Sequence, residues 1–183
     1  MKNIIIILLA GILLSCKSSQ KGFSLFSVSE EEKELNADSK FIEGIKHKNE
    51  GDYEKAIPLF QEVIKDSKSH DAAYYELANV YQNIKNFEAA LNHINQAVTI
   101  NPKNKWYLQF QIDLTKSLGL FNQTTKAYSI RSKNFPENPT FDIEFSDFYI
   151  QNKQYKKALA LYEKIEEKIG VSEEINRNKY IIY

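Results

Sequence analysis

The sequence predicts an all-α chain, a solenoid of stacked helix hairpins. Three observations carry this. Tyr53, Phe87, Phe121 and Tyr155 fall in one register at a step of 34 residues. Ala56, Ala90, Thr124 and Ala158 keep the same step, as do Phe60, Ile94, Tyr128 and Tyr162. Within a unit, Tyr74, Leu77, Ala78 and Tyr81 follow the i, i+3, i+4, i+7 spacing of one helix face. After a break at Lys85-Asn86, a second helical run carries Phe87, Ala90, Leu91, Ile94, Ala97 and Val98. Two helices and a tight turn make a hairpin that cannot bury its apolar face alone, so neighbours must stack.

The chain opens Met1-Lys2-Asn3, followed by Ile4 to Leu14 without a polar side chain. A bilayer span needs about 20 apolar residues. This run is too short and has the charge-then-apolar order of a secretory signal. Leu13-Leu14-Ser15-Cys16 follows directly and resembles the bacterial lipoprotein signal, which implies cleavage before Cys16 and a lipid on its thiol. Cys16 is the only cysteine, so no intrachain disulfide can form. Residues 1–15 are therefore expected as a signal peptide and 16–29 as a Ser- and Lys-rich tether. Ser29 with Glu32 has capping-box spacing, which predicts a helix from about Glu30, its first turns (30–36) capping the array.

Four units follow: 37–70, 71–104, 105–138 and 139–172. Gly44, Ala78, Ala56, Ala90 and Ala158 stand where helices must approach closely. Pro58 falls inside a second helix and removes one backbone bond. The third unit departs most, with Ile112, Thr115, Thr124 and Arg131 in the small and aromatic columns. Residues 173–183 are expected as a capping helix or the start of a fifth unit.

This pattern resembles the tetratricopeptide repeat over roughly Ala37 to Gly170. The resemblance implies a right-handed superhelix whose first helices line a concave groove. It points to a candidate partner-binding groove at Phe41, Ile45 and Lys48, then Tyr75, Asn79, Gln82 and Asn83. The same register adds Trp106, Gln109 and Asp113, and then Ile143, Asp147 and Ile150. Apolar and amide side chains with a few acids suit a protein or peptide segment bearing aliphatic residues and Lys or Arg. Asn79 matches one element of the family's carboxylate clamp, but Phe41, Ile45, Gln109 and Asp113 do not.

Lys plus Arg equals Asp plus Glu at 24 each, and no basic stripe appears, so no nucleic-acid partner is expected. His47, His70 and His93 are scattered and lack convergent ligand spacing, so no metal site is expected. No phosphate loop, nucleophile elbow or metalloprotease motif is present, and neither a cofactor nor catalysis is expected. The reading is a non-catalytic, lipid-anchored scaffold on the periplasmic face of the outer membrane. Two alternatives stay open: the sensory or regulatory front of a larger enzyme or transport system, and an outer-membrane assembly lipoprotein.

Overall fold

Helix starts keep the period. Second helices begin at Tyr53, Phe87, Phe121 and Tyr155, and first helices at Asp71, Lys105, Pro139 and Glu173, each set advancing by 34 residues. The computed structural model describes residues 25–171 and 173–182. The signal segment, Cys16 and the tether up to residue 24 lie outside the described residues.

Nine helices and no strand occur among the described residues. They are α1 (Leu25–Glu50), α2 (Tyr53–Asp66), α3 (Asp71–Asn83), α4 (Phe87–Ile100), α5 (Lys105–Ser117), α6 (Phe121–Asn134), α7 (Pro139–Gln151), α8 (Tyr155–Ile169) and α9 (Glu173–Ile182). Contacts run between helices adjacent in sequence and are most extensive within the pairs α1·α2, α3·α4, α5·α6 and α7·α8. The result is an α-solenoid of hairpins.

The turn inside each hairpin is the same object four times over. Gly51, Lys85, Gly119 and Lys153 all take positive φ, between 56° and 79°. One residue later, the N–H groups of Asp52, Asn86, Leu120 and Gln154 donate back to the carbonyls of His47, Tyr81, Thr115 and Tyr149. This closes each first helix with a left-handed residue and recovers an orphan carbonyl. Glycine enters that region freely, whereas an L side chain costs roughly 1–2 kcal/mol there. The same turn residues start the next helix: Asp52 and Asn86 accept from the backbone N–H three residues on. His70, Asn104 and Asn138 cap α3, α5 and α7.

The column of small residues is fully enclosed. Ala56, Ala90, Thr124 and Ala158 are all 0 % exposed, which is what lets paired helices approach. Gly44 shows how close: a Cβ added there would stand 2.7 Å from Phe60 Cε1. Phe60, Ile94, Tyr128 and Tyr162 fill the next layer. Each such burial stabilises by about 1.5–3 kcal/mol. The departures in the third unit are accommodated locally. Thr124 Oγ1 donates to the Leu120 carbonyl at 3.0 Å and Thr115 Oγ1 to the Gln111 carbonyl at 2.7 Å. The larger Ile112 is buried in one cluster with Ala127, a small residue at the place where the second unit has His93.

Three expectations are corrected. α1 begins at Leu25 rather than Glu30, so residues 25–29 are helix rather than tether, and Ser29 lies inside the helix rather than capping it. The Glu- and Lys-rich run after Ser29 consists of good helix formers, which carry the helix backwards past the capping box. Separately, the aromatic residues at the start of the second helices are only partly covered: Phe87 is 39 % and Tyr155 42 % exposed. These residues follow directly on the turn, where only their inner side is covered. α2 runs unbroken from Tyr53 to Asp66 through Pro58, as expected.

α9 docks Ile175, 1 % exposed, and Ile182 into the cluster of α7 and α8, and leaves Tyr180 open.

Ala90 lies in one buried cluster with Ala78, Ile94, Tyr107, Leu108 and Leu114, which belong to α3, α4 and α5. Ala90→Leu should overpack this joint and lower stability by about 1–3 kcal/mol. The check is a urea melt of the full chain. An unmoved midpoint would show that the column is not the point of closest approach.

Candidate functional site

The first helices stand side by side, and polar links tie one to the next. Lys48 Nζ of α1 meets Glu76 Oε2 of α3 at 2.7 Å, with both side chains largely buried. The ring of Tyr75 on α3 stacks on Tyr107 of α5 at 4.8 Å and meets Phe110 edge-on at 5.7 Å. Between α5 and α7 the link comes from behind. Arg131 of α6 sends its guanidinium to Gln109 Oε1 of α5 and to Glu144 Oε2 of α7.

Arg131 is 1 % exposed and stands in a core column otherwise held by Val63, Ala97 and Ile165. Its guanidinium lies 4.3 Å from the Phe141 ring and 5.1 Å from the Tyr128 ring. A buried cation requires a carboxylate and hydrogen-bond acceptors, and it finds them only by crossing to the first helices. Gln109, so held, donates through Nε2 to Asp113 Oδ1 at 2.9 Å. A chain of polar contacts thus runs from Asp113 through Gln109 and Arg131 to Glu144.

Three carboxylates gather here. Burial pushes the Tyr128 hydroxyl up to about 12, and the charges of Glu144, Asp113 and Asp147 add to this against the opposing pull of Arg131. Asp147 accepts from the Tyr162 hydroxyl at 3.1 Å. Among the described residues, neither Asp113 nor Asp147 forms an ion pair. Elsewhere in the array, partly buried acids such as Glu76, Asp142 and Glu166 each have a lysine.

The residues expected in the groove divide into two sets. Phe41 packs on Phe60 at 5.7 Å and His70 at 4.8 Å. Ile45 lies against the α2–α3 cluster and Ile143 and Ile150 against that of α7 and α8, so these serve packing, as Tyr75 does. Phe41 reaches the second helix of its own hairpin and the loop that follows, whereas Tyr75 reaches the next first helix. Asn79 is half-buried, its Nδ2 donating to the Tyr75 carbonyl at 3.1 Å. Gln82 is half-exposed and Asn83 exposed. Trp106 is 67 % exposed, with Lys105 Nζ 5.2 Å from its ring. Its neighbour Tyr107, at 7 % exposure, fills the joint instead. Sequence reading missed the roles of Arg131 and Glu144. The available sign was a charged side chain in a column otherwise held by Val63, Ala97 and Ile165.

Two of the histidines, His70 and His93, serve the scaffold. His70 Nδ1 accepts from the Ala73 N–H. His93 stacks parallel to Tyr81 at 5.3 Å and faces Tyr74 at 6.1 Å, and burial holds its pKa below the ordinary imidazole value.

Residues 49–110 match the tetratricopeptide repeat family model. That segment belongs to the family by sequence, and the hairpins over the described residues have the family's fold. Solved structures with this fold include a tetratricopeptide repeat protein from Parabacteroides merdae, 18% identical with a TM-score of 0.61, covering 81% of this chain and 59% of that one. YrrB, described as a TPR protein with an unusual peptide-binding site, is 14% identical with a TM-score of 0.58, covering 87% and 82%. MamA from Desulfovibrio magneticus is 21% identical with a TM-score of 0.53, covering 72% and 74%. At these identities the likeness is one of fold. No curated protein matches the chain in sequence.

His93 gives the array a pH dependence of known sign. Its folded-state pKa lies below the unfolded one, so the unfolded chain binds the extra proton first. The stability is whole above the unfolded imidazole value of about 6.5 and falls as pH drops below it toward the folded value. His93→Gln should remove this part of the acid loss. Melting temperatures of both proteins across the weakly acidic range provide the check, and parallel curves would contradict it.

Proposed function

We propose that this chain is a non-catalytic scaffold of the bacterial cell envelope, anchored through lipid on Cys16 at the periplasmic face of the outer membrane. It holds a protein or peptide segment against its first helices. The fold supports a protein-binding role, because stacked hairpins present an extended surface. The anchor is supported by Leu13-Leu14-Ser15-Cys16 at the end of an apolar run too short to span a bilayer.

The observation that carries the binding reading is the pairing of an open indole with uncompensated acids. Trp106 is exposed at the start of α5, and Asp113, two turns along the same helix, has only the Gln109 amide as partner among the described residues. Asp147 adds a second carboxylate without a cation. A segment with Lys or Arg and an aliphatic residue would neutralise the acids and cover the indole. Asn79, Gln82 and Asn83 can offer donors and acceptors to an extended backbone. YrrB is described as peptide-binding on the same fold, which accords with this use.

The chain has a single tryptophan, so its emission reports directly on this site. Peptides combining Lys or Arg with Leu or Ile should blue-shift Trp106 fluorescence, and acidic peptides should not. Asp113→Asn and Asp147→Asn should each weaken binding. Trp106→Ala, followed by calorimetry, should cost about 2 kcal/mol. Equal binding of acidic and basic peptides would overturn the reading.

For the anchor, mass spectrometry of the membrane fraction should find Cys16 as an acylated N-terminus. Cys16→Ser should leave an uncleaved or soluble protein. Several acyl chains give stable attachment where one gives marginal binding. An unmodified Cys16 on membrane-associated protein would refute the lipid assignment.

A further inference from the structure

The joint between the third and fourth units differs in kind from the one before it. Between the second and third units, Val98 and Leu108 belong to one buried apolar cluster, beside a smaller opening of about 300 Å³ that Val98 borders. The residues 34 positions on are Ser132 and Asp142, 7 % and 2 % exposed. An apolar plug has become a hydroxyl and a carboxylate, both buried.

Beside them lies a cavity of about 460 Å³, lined by Lys133, Pro136, Asp142, Phe145, Lys164 and Lys168 together with Ser129, Ser132 and Leu161. That volume is within the range of small-molecule sites. Asp142 Oδ2 receives Lys168 at 3.3 Å and Lys164 at 3.5 Å. Its Oδ1 and the Ser132 Oγ have no hydrogen-bond partner among the described residues. Two lysines thus meet one carboxylate and Lys133 lines the same cavity, while Pro136, Phe145 and Leu161 give an apolar wall.

The first unit uses the same positions differently. Lys40, Glu62 and Asp66 stand 102 residues before Asp142, Lys164 and Lys168, with every charge reversed. There one lysine joins two acids, at 2.9 Å and 3.2 Å. The tie between first and second helix therefore works with either sign. The sign present in the fourth unit is the one that presents cations to a cavity.

We propose that the cavity between α6, α7 and α8 binds a small organic anion: a carboxylate on an apolar body carrying one hydroxyl or N–H donor. Lys133, Lys164 and Lys168 take the carboxylate, the Phe145 and Leu161 side chains take the body, and Asp142 Oδ1 accepts from the donor. The site lies on α6, α7 and α8 and is separate from the surface around Trp106.

Mandelate has this chemistry, with a carboxylate, a hydroxyl and a phenyl ring. Added at millimolar concentration to the full chain, it should shift the amide resonances of Ser129, Ser132, Leu161 and Lys164 in nitrogen–proton spectra. Neutral mandelamide should bind about ten-fold more weakly, the loss of a charge-assisted contact. Lys168→Met should weaken mandelate by a similar factor. Ser132→Val puts the residue type of the preceding joint into the cavity wall, adding bulk and removing the hydroxyl, so it should fold and abolish the shifts. Equal binding of mandelate and mandelamide, shifts that survive Ser132→Val, or shifts confined to α3 and α5 would each overturn the proposal. If inorganic phosphate binds as well as mandelate, the assignment to an organic ligand fails.

Discussion

A helix hairpin of this size cannot close its own core, and everything else in the array follows from the need for a neighbour. What makes stacking possible is the enclosed column Ala56, Ala90, Thr124 and Ala158, each 0 % exposed. A larger side chain at any of these positions would hold two helices apart, and the layer of Phe60, Ile94, Tyr128 and Tyr162 would lose its contacts. The threonine is tolerated because its hydroxyl turns back onto the Leu120 carbonyl. Close approach also explains the exposed side, since first helices set this near each other bring Tyr75 onto Tyr107 and Lys48 onto Glu76.

Polar groups enter this core where the small-residue rule is broken. Arg131 replaces a small or aliphatic residue, and its charge can be accommodated only by reaching Gln109 and Glu144 on two other helices. One substitution in a packing column thereby arranges the side chains of the candidate binding face. Asp142 and Ser132 are the counterpart at the next joint, where two apolar positions of the preceding joint have become polar beside a larger open volume.

The architecture was legible in the sequence because packing in a repeat is periodic. The 34-residue columns, the enclosed Ala90 and the close approach at Gly44 follow from side-chain size at fixed spacing. The left-handed turn was half legible: Gly51 and Gly119 announce it, but Lys85 and Lys153 adopt the same φ without any such sign. The start of α1 was misjudged because a capping box marks where a helix is able to begin, and a helix-favouring run can carry it further. The candidate site was harder to read for a different reason. Phe41 and Tyr75 lie on the expected helix face, yet how much of that face a neighbouring helix covers depends on helix separation, which no single unit encodes. The Arg131 contacts join residues 22 and 13 positions apart, and spacing alone does not single them out.

Contact between helices adjacent in sequence also governs how such a chain acquires its shape. Nearly every interface here forms between segments joined by a few residues of turn, so little loop entropy is lost at each step. Low contact order favours rapid folding, and an ordered hairpin supplies the surface on which the next one condenses. The reverse process begins where a helix has one neighbour instead of two. Among the described residues, α9 is held by Ile175 and Ile182. The interior hairpins, which carry Asn79, Trp106 and Asp113, are supported from both sides and are the last to let go.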